Sequence, residues 1–283
     1  INTGTTVITV TTVDGGFTAT CRISVTRSSS DSEGRDRDKD KSERVTTPET
    51  PPAPPATSEA PAQTAQVSGS AGHERVVVAV DGGAISMTQE DTTAVVVVQE
   101  DDIAAAAQSA QQQAAALNVT AVVSINPQLP ENVREVVFQL PGSAIATLAS
   151  SGIGLQINTG TASVQLSPEI LANLPSDGNV NLSVRIVDPE REVSTLPEGM
   201  RPSGRGIDLE FGLESDNAEG SIIIEVMIGD DVDRDLVGLY YLNEATGELI
   251  FIGGRTEGNI LWGETVHNSK YFVMEYKKQF KDT

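Results

Sequence analysis

Apolar positions along this chain come in short, β-branched runs separated by turn residues, with a helical period in only a few places. "TTVITVTTV" and "FTATCRISVT" flank Asp14-Gly15-Gly16, and two such runs around a glycine turn predict a hairpin over residues 1–27. From residue 74 onward "ERVVVAV", "TTAVVVVQ", "VTAVVSIN" and "VREVVFQL" read as Val-rich strands. One stretch between them changes period. In "DDIAAAAQSAQQQAAALN", Ile103, Ala106, Ala110, Ala114 and Leu117 fall on one helical face. Asp101 or Asp102 is expected to cap this helix and Asn118 to close it.

The next stretch repeats itself. "VVFQLPGSAIATL" leads to "IGLQI", and "ASVQLSPEILANL" leads to "VNLSVRIV". Each copy reads as strand, short helix, strand, with Leu140 and Leu166 at matching positions about 26 residues apart. Ser167-Pro168-Glu169 is a helix start. The last third is strand throughout, and Asn243 to Gly247 forms a hairpin loop with glycine where a positive φ is wanted. The fold class is therefore mainly β with a few helices (α+β): a β-sandwich or a mixed sheet with helices on one face. This domain is expected over 74–276, in one piece or as two subdomains near 74–188 and 205–276.

Between hairpin and domain, residues 28–73 read as a disordered linker. Its first part is mixed charge and its second is rich in Pro, Thr, Ser and Ala, with no Leu, Ile or aromatic to bury. The Pro-rich half is an extended spacer. The basic end, residues 277–283, reads as a joint to a following module, because Phe280 has nothing after it to pack on.

Charge and rare residues narrow the function. The chain carries a formal net charge of -21, which opposes nucleic acid and anionic membranes as partners. No run of 18 apolar residues forms a spanning helix. The single cysteine, Cys21, cannot pair within the chain, and the two histidines, His73 and His267, lie far apart. The usual zinc clusters are excluded on that count. There is no nucleophile elbow and no P-loop, and "GIGLQI" has two of the three glycines of a dinucleotide fingerprint. No catalytic residue and no cofactor is expected from these patterns.

Three places carry candidate chemistry. In "GDDVDRDLVG", Asp231, Asp233 and Asp235 match the first ligand spacings of a calcium loop, but Leu236 and Leu242 stand where that loop needs Gly and Glu. An irregular calcium site or a solvated loop remain as readings. Trp262, the only tryptophan, follows Ile260 and Leu261 in a strand and reads as core or half-core packing rather than a sugar platform. Tyr240 and Tyr241 point to opposite faces of theirs. Finally, Val266-His267-Asn268-Ser269 resembles the step at which some surface β-domains cut themselves. The resemblance implies that His267 activates the Ser269 hydroxyl, which attacks the Asn268 carbonyl to give an ester that water opens. Asn268 departs from the apolar residue usual there.

Two further resemblances concern location. "GTTVITVTTVDGGFTATCRISVT" is similar to the last two strands of a group 2 bacterial Ig-like domain, whose earlier strands are absent here. "LYYLNEATGELIFIGGRTEG" with "VHNSKYFVMEYKKQFKDT" resembles the end of a β-rich stalk domain that precedes S-layer homology repeats in Gram-positive surface proteins. In that group Phe280 and Asp282 would open the first repeat, although no repeat follows in this chain. The likeness extends loosely over residues 75–283. It implies an extracellular spacer that presents other domains of the same protein near the cell wall. Anchoring to cell-wall polysaccharide would come from the missing module. An extracellular glycan- or protein-binding module is the competing reading.

Overall fold

The computed structural model describes residues 4–11, 18–25, 65–68, 74–80, 82–213 and 219–277. His73, Phe280, Asp282, the Cys21 side chain and most of the 28–73 stretch lie outside the described residues. The chain divides into two compact units, residues 1–57 and 58–283. In the first, β1 (Gly4–Thr11) pairs antiparallel with β2 (Thr18–Val25), Gly4 opposite Val25 and Thr11 opposite Thr18. This is the hairpin its β-branched runs predict.

The second unit is mainly β. In chain order it holds β3 (Ala65–Ser68), β4 (Arg75–Ala79), β5 (Ile85–Glu90), β6 (Thr93–Val98), α1 (Glu100–Leu117) and β7 (Thr120–Ile125). Then come β8 (Glu135–Pro141), α2 (Gly142–Ser150), β9 (Ile153–Asn158), β10 (Ala162–Leu166), α3 (Pro168–Ala172), β11 (Asn179–Val187) and α4 (Pro189–Glu192). The last third is β12 (Met200–Pro202), β13 (Gly206–Glu210), β14 (Ile222–Met227), β15 (Val237–Asn243), β16 (Glu248–Gly253), β17 (Arg255–Glu257), β18 (Ile260–Thr265) and β19 (Lys270–Tyr276).

These strands form two sheets. The first runs β3-β4-β7-β9-β10-β14-β18-β17; the second runs β5-β6-β8-β11-β13-β19-β15-β16, with β12 also on β19. The pairs β4/β7, β7/β9 and β6/β8 are parallel and the rest antiparallel. Alternating side chains bury one face of β6, β8 and β10, whereas β7, β9 and β19 are buried on both faces and β5 is mostly exposed. Val76, Val78, Leu155, Val164 and Ile224 from the first sheet join Val96, Phe138, Leu182, Leu209 and Val273 from the second in one core. Met200, Tyr240, Leu242, Phe272 and Met274 form a smaller cluster on the far side of the second sheet. Strands from 74–188 and from 205–276 sit in both sheets and share the main core, so the two stretches fold as one body.

Among the described residues the linker stretch contains one strand. β3 pairs with β4 as an edge, Val67 opposite Val76. The reason is that an edge strand is held by the backbone ladder of its neighbour and needs little apolar surface of its own; Val67 is 62% exposed.

The helices follow their small residues. In α1, Ile103, Ala106, Ala107, Ala110 and Ala114 are buried in the main core, where the lack of bulk permits close approach to β4 and β7. Leu117, expected on that face, is 54% exposed in the final turn. Asp101 and Asp102 are not the cap. The helix starts at Glu100 with Gln99 at the cap position and no side-chain bond there. Glu100, Asp101 and Asp102 occupy the first turn, where carboxylates favour the helix dipole. Asn118 ends the helix in the left-handed region (φ 56°).

The repeat is present as structure. β8-α2-β9 carries the chain from the second sheet to the first, and β10-α3-β11 carries it back. Ser167 Oγ accepts Ile170 N–H at 3.4 Å and Ser221 N–H at 3.0 Å. The hydrogen bond from Ser167 also holds the Glu169 carboxyl below its ordinary value. α2 starts hard against the loop that follows α3, with Gly142 N–H donating to Gly178 O at 2.8 Å.

Candidate functional site

The turn from β18 to β19 crosses from the first sheet to the second and carries His267, Asn268 and Ser269. Alternation along β19 puts Tyr271 inward, 1% exposed, directly after the turn. Its hydroxyl donates to the carbonyl of His267 at 2.6 Å and lies 2.9 Å from Thr265 Oγ1. Burial pushes the Tyr271 phenol far above its ordinary range, with the Thr265 hydrogen bond acting the other way.

This geometry fixes the imidazole. His267 Nδ1 is 3.2 Å from Tyr271 Oη and 3.3 Å from Asn268 O. With the phenol proton committed to His267 O, Nδ1 meets both oxygens as an N–H donor. The ring also packs edge-on against Tyr241, with centroids 4.8 Å apart. Ser269 Oγ donates to Leu242 O at 3.3 Å, on the neighbouring strand β15. An acyl shift at Asn268–Ser269 needs a donor on the Asn268 carbonyl and a base on the Ser269 hydroxyl. His267 supplies the first; no hydrogen bond joins His267 to Ser269 among those described.

A cavity of about 710 Å³ opens beside this turn, lined by His267, Ser269, Lys270, Tyr241, Arg185 and Asp208 among others. Its cations are paired. Lys270 Nζ lies 2.8 Å from Glu244 and 3.0 Å from Glu192, and Arg185 lies 2.5 Å from Asp208. Hydrogen bonds to Glu244 and Glu192 raise the Lys270 amine above its ordinary value. A nucleophilic lysine requires the opposite shift.

In the acidic loop between β14 and β15, Asp230 accepts from Asn259 Nδ2 at 2.7 Å and Asp233 bonds within the loop. Asp233 Oδ1 accepts Asp235 N–H at 3.0 Å, and Asp233 N–H donates to the buried Glu275. Glu275, on β19, also pairs with Arg201. Burial raises its carboxyl, but the Arg201 and Asp233 hydrogen bonds together hold it below the ordinary value. Asp231, Asp233 and Asp235 thus share a turn, and among the described residues no group of three or more His, Cys, Asp or Glu is arranged to hold a metal. Trp262 is half-buried, as expected for a half-core position, and Arg255 stands 5.4 Å over its ring. Tyr240 and Tyr241 point to opposite faces, Tyr240 into the far cluster and Tyr241 toward the main core and His267.

The residue pair that sequence reasoning missed is Arg75–Glu225, 2.8 Å apart and largely buried. The two are 150 positions apart, and no local pattern links residues so distant. No protein-family model matches the chain, and no curated protein matches it. Among the described residues no helix is long and apolar enough to cross a membrane.

Proposed function

We propose that this chain is a structural spacer of a secreted bacterial surface protein, presenting neighbouring domains of the same protein near the cell wall. The observation that supports this most is the seating of β19. The strand has ladders on both sides, to β15 on one and to β13 and β12 on the other. A strand held along its length by two antiparallel ladders transmits pull into the whole sheet rather than peeling away from an edge. The hydrogen bonds of His267 and Ser269 agree with a structural role, since both side chains tie the turn to its neighbours. The resemblance of residues 75–283 to stalk domains supports the extracellular placement.

Single-molecule pulling on the chain ends tests the load-bearing part. One cooperative unfolding event for residues 58–283 is expected; gradual unravelling from β19 at low force would sink the reading. Protease shaving of intact source cells tests the location, with release of peptides from this chain expected.

A further inference from the structure

The two sheets leave a mouth between them at one end of the core, and the second sheet places two arginines there. β8 begins at Glu135, opposite Arg185 of β11, and the carbonyl of Arg134, one residue earlier, accepts Ile186 N–H at 2.7 Å. Ile186 pairs in turn with Ile207 of β13, two residues after Arg205. Arg134 likewise stands two residues before Val136, and Val136 and Ile207 both belong to the main core. Alternation therefore turns both arginines to the core side of the sheet, at the end where the core runs out. Their strands are two spacings apart, roughly 10 Å. Across from them the first sheet supplies its β9–β10 turn, Thr159 to Thr161. The space between is a cavity of about 530 Å³, lined by both arginines, by that turn and by residues of the 127–133 loop.

Apart from Lys277 at the end of the described residues, these two cations differ from the others of the domain. Arg75, Arg185, Arg191, Arg201 and Lys270 each pair with a carboxylate. Arg234 is held by Val232 O and Asn259 Oδ1, and Arg255 stands over Trp262. Arg134 and Arg205 are exposed, and among the described residues neither guanidinium has a hydrogen-bond or ion-pair partner. Acidic residues outnumber basic ones 40 to 19 in the chain, so two cations left open on one cavity run against the composition. The cavity is not purely polar. Pro127, Leu129 and Ile186 are half-buried in its wall and give it apolar surface. One carboxylate, that of the exposed Glu131, lines it as well.

We propose that this mouth binds a single carboxylate carried on an apolar body, with Arg134 and Arg205 as its counter-ions. The planar fork of a guanidinium matches the two oxygens of a carboxylate. The apolar wall favours a hydrocarbon body over a bare ion. Glu131 and the net charge of -21 oppose a ligand with more than one negative charge, a phosphate dianion included. The volume lies within the ~300–1,000 Å³ of small-molecule pockets, which leaves room for one ring or one amino-acid side chain behind the carboxylate. A free carboxylic acid and the C-terminus of a peptide share this chemistry. This inference is independent of the spacer role.

The test titrates the full chain by calorimetry at low salt, where surface charge is least screened. The probes are 4-phenylbutyrate and N-acetylleucine, with their amides as neutral controls and inorganic phosphate as the competing anion. Saturable binding of at least one carboxylate is expected, and its amide should not bind. Tighter binding of 4-phenylbutyrate points to a free acid, and tighter binding of N-acetylleucine to a peptide end. Arg134→Gln and Arg205→Gln remove one charge each from an exposed side chain, so the melting temperature should stay unchanged. Binding weakened tenfold or more in either folded variant upholds the site. It is overturned by no saturable binding of either carboxylate, by amides that bind as tightly, by phosphate that binds more tightly than both, or by two variants that each stay within tenfold of the parent.

Discussion

Tyr271 donates its hydroxyl to the carbonyl of His267, four residues earlier, at 2.6 Å. The bond closes the turn between the two sheets, and Thr265 Oγ1 lies 2.9 Å from the same oxygen. Tyr271→Phe removes one hydroxyl and takes a partner from each of Thr265 Oγ1, the His267 carbonyl and His267 Nδ1. The expected loss is about 1–3 kcal/mol of folding stability, read by denaturant unfolding. A loss indistinguishable from zero would show that water replaces the phenol.

The same turn bears on self-cleavage. The Ser269 hydroxyl is bonded to Leu242, so the purified chain should keep a single full-length mass through prolonged incubation, and Ser269→Ala should behave identically. Fragments that break between Asn268 and Ser269, lost in Ser269→Ala, would show that the turn rearranges to bring the imidazole onto the hydroxyl.

Stability should fall at both ends of the pH scale. Glu275 is held below its ordinary value by Arg201 and Asp233. Its contribution is present above the unfolded-state value of about 4.3 and is lost as pH falls through the lower folded one. Tyr271 is raised by burial and Lys270 by its two carboxylates. Their contributions are full below about pH 10 and are lost as pH rises toward the folded values. In Glu275→Gln the acid limb should flatten while the alkaline limb stays. An unchanged acid limb would move its origin to other carboxylates.

Gly142 begins α2 against the loop after α3. A Cβ there would stand 2.7 Å from the backbone carbon and oxygen of Ser176. Backbone cannot yield as a side chain does, so Gly142→Ala should cost about 1–3 kcal/mol. Gly82→Ala, with nothing within 4 Å of its Cβ, is the control and should be near neutral. Equal melting temperatures for the two variants would contradict this packing.

The sequence carries the local structure well. Ser167 capping α3, Asn118 ending α1, the loop closed by Gly247 (φ 73°) and the opposed faces of Tyr240 and Tyr241 all follow from short-range rules. The repeated strand-helix-strand units are legible because each copy satisfies those rules twice. What lies beyond reach is pairing over distance. Nothing near Arg75 marks Glu225 as its partner, and three strands of the sheet separate theirs. β3 hides for a related reason: an edge strand takes its hydrogen bonds from β4 and needs no apolar signature of its own. The candidate turn at His267 is half legible. Its residue types suggest an imidazole acting on a hydroxyl, whereas the bond that orients the imidazole comes from Tyr271 and the partner of the hydroxyl comes from β15.

The path between the sheets carries one further consequence. The chain leaves a sheet after one, two or three strands and returns to it later, with α1, α2, α3 and the β18–β19 turn among the crossings. The two layers are stitched by the backbone itself. No contiguous half of the second unit contains either of its sheets complete, and a nick in any loop between β5 and β18 leaves both of its fragments threaded through both layers. Such a domain has no natural seam. Evolution can lengthen its loops or append modules at its ends, but it cannot inherit one layer without the other.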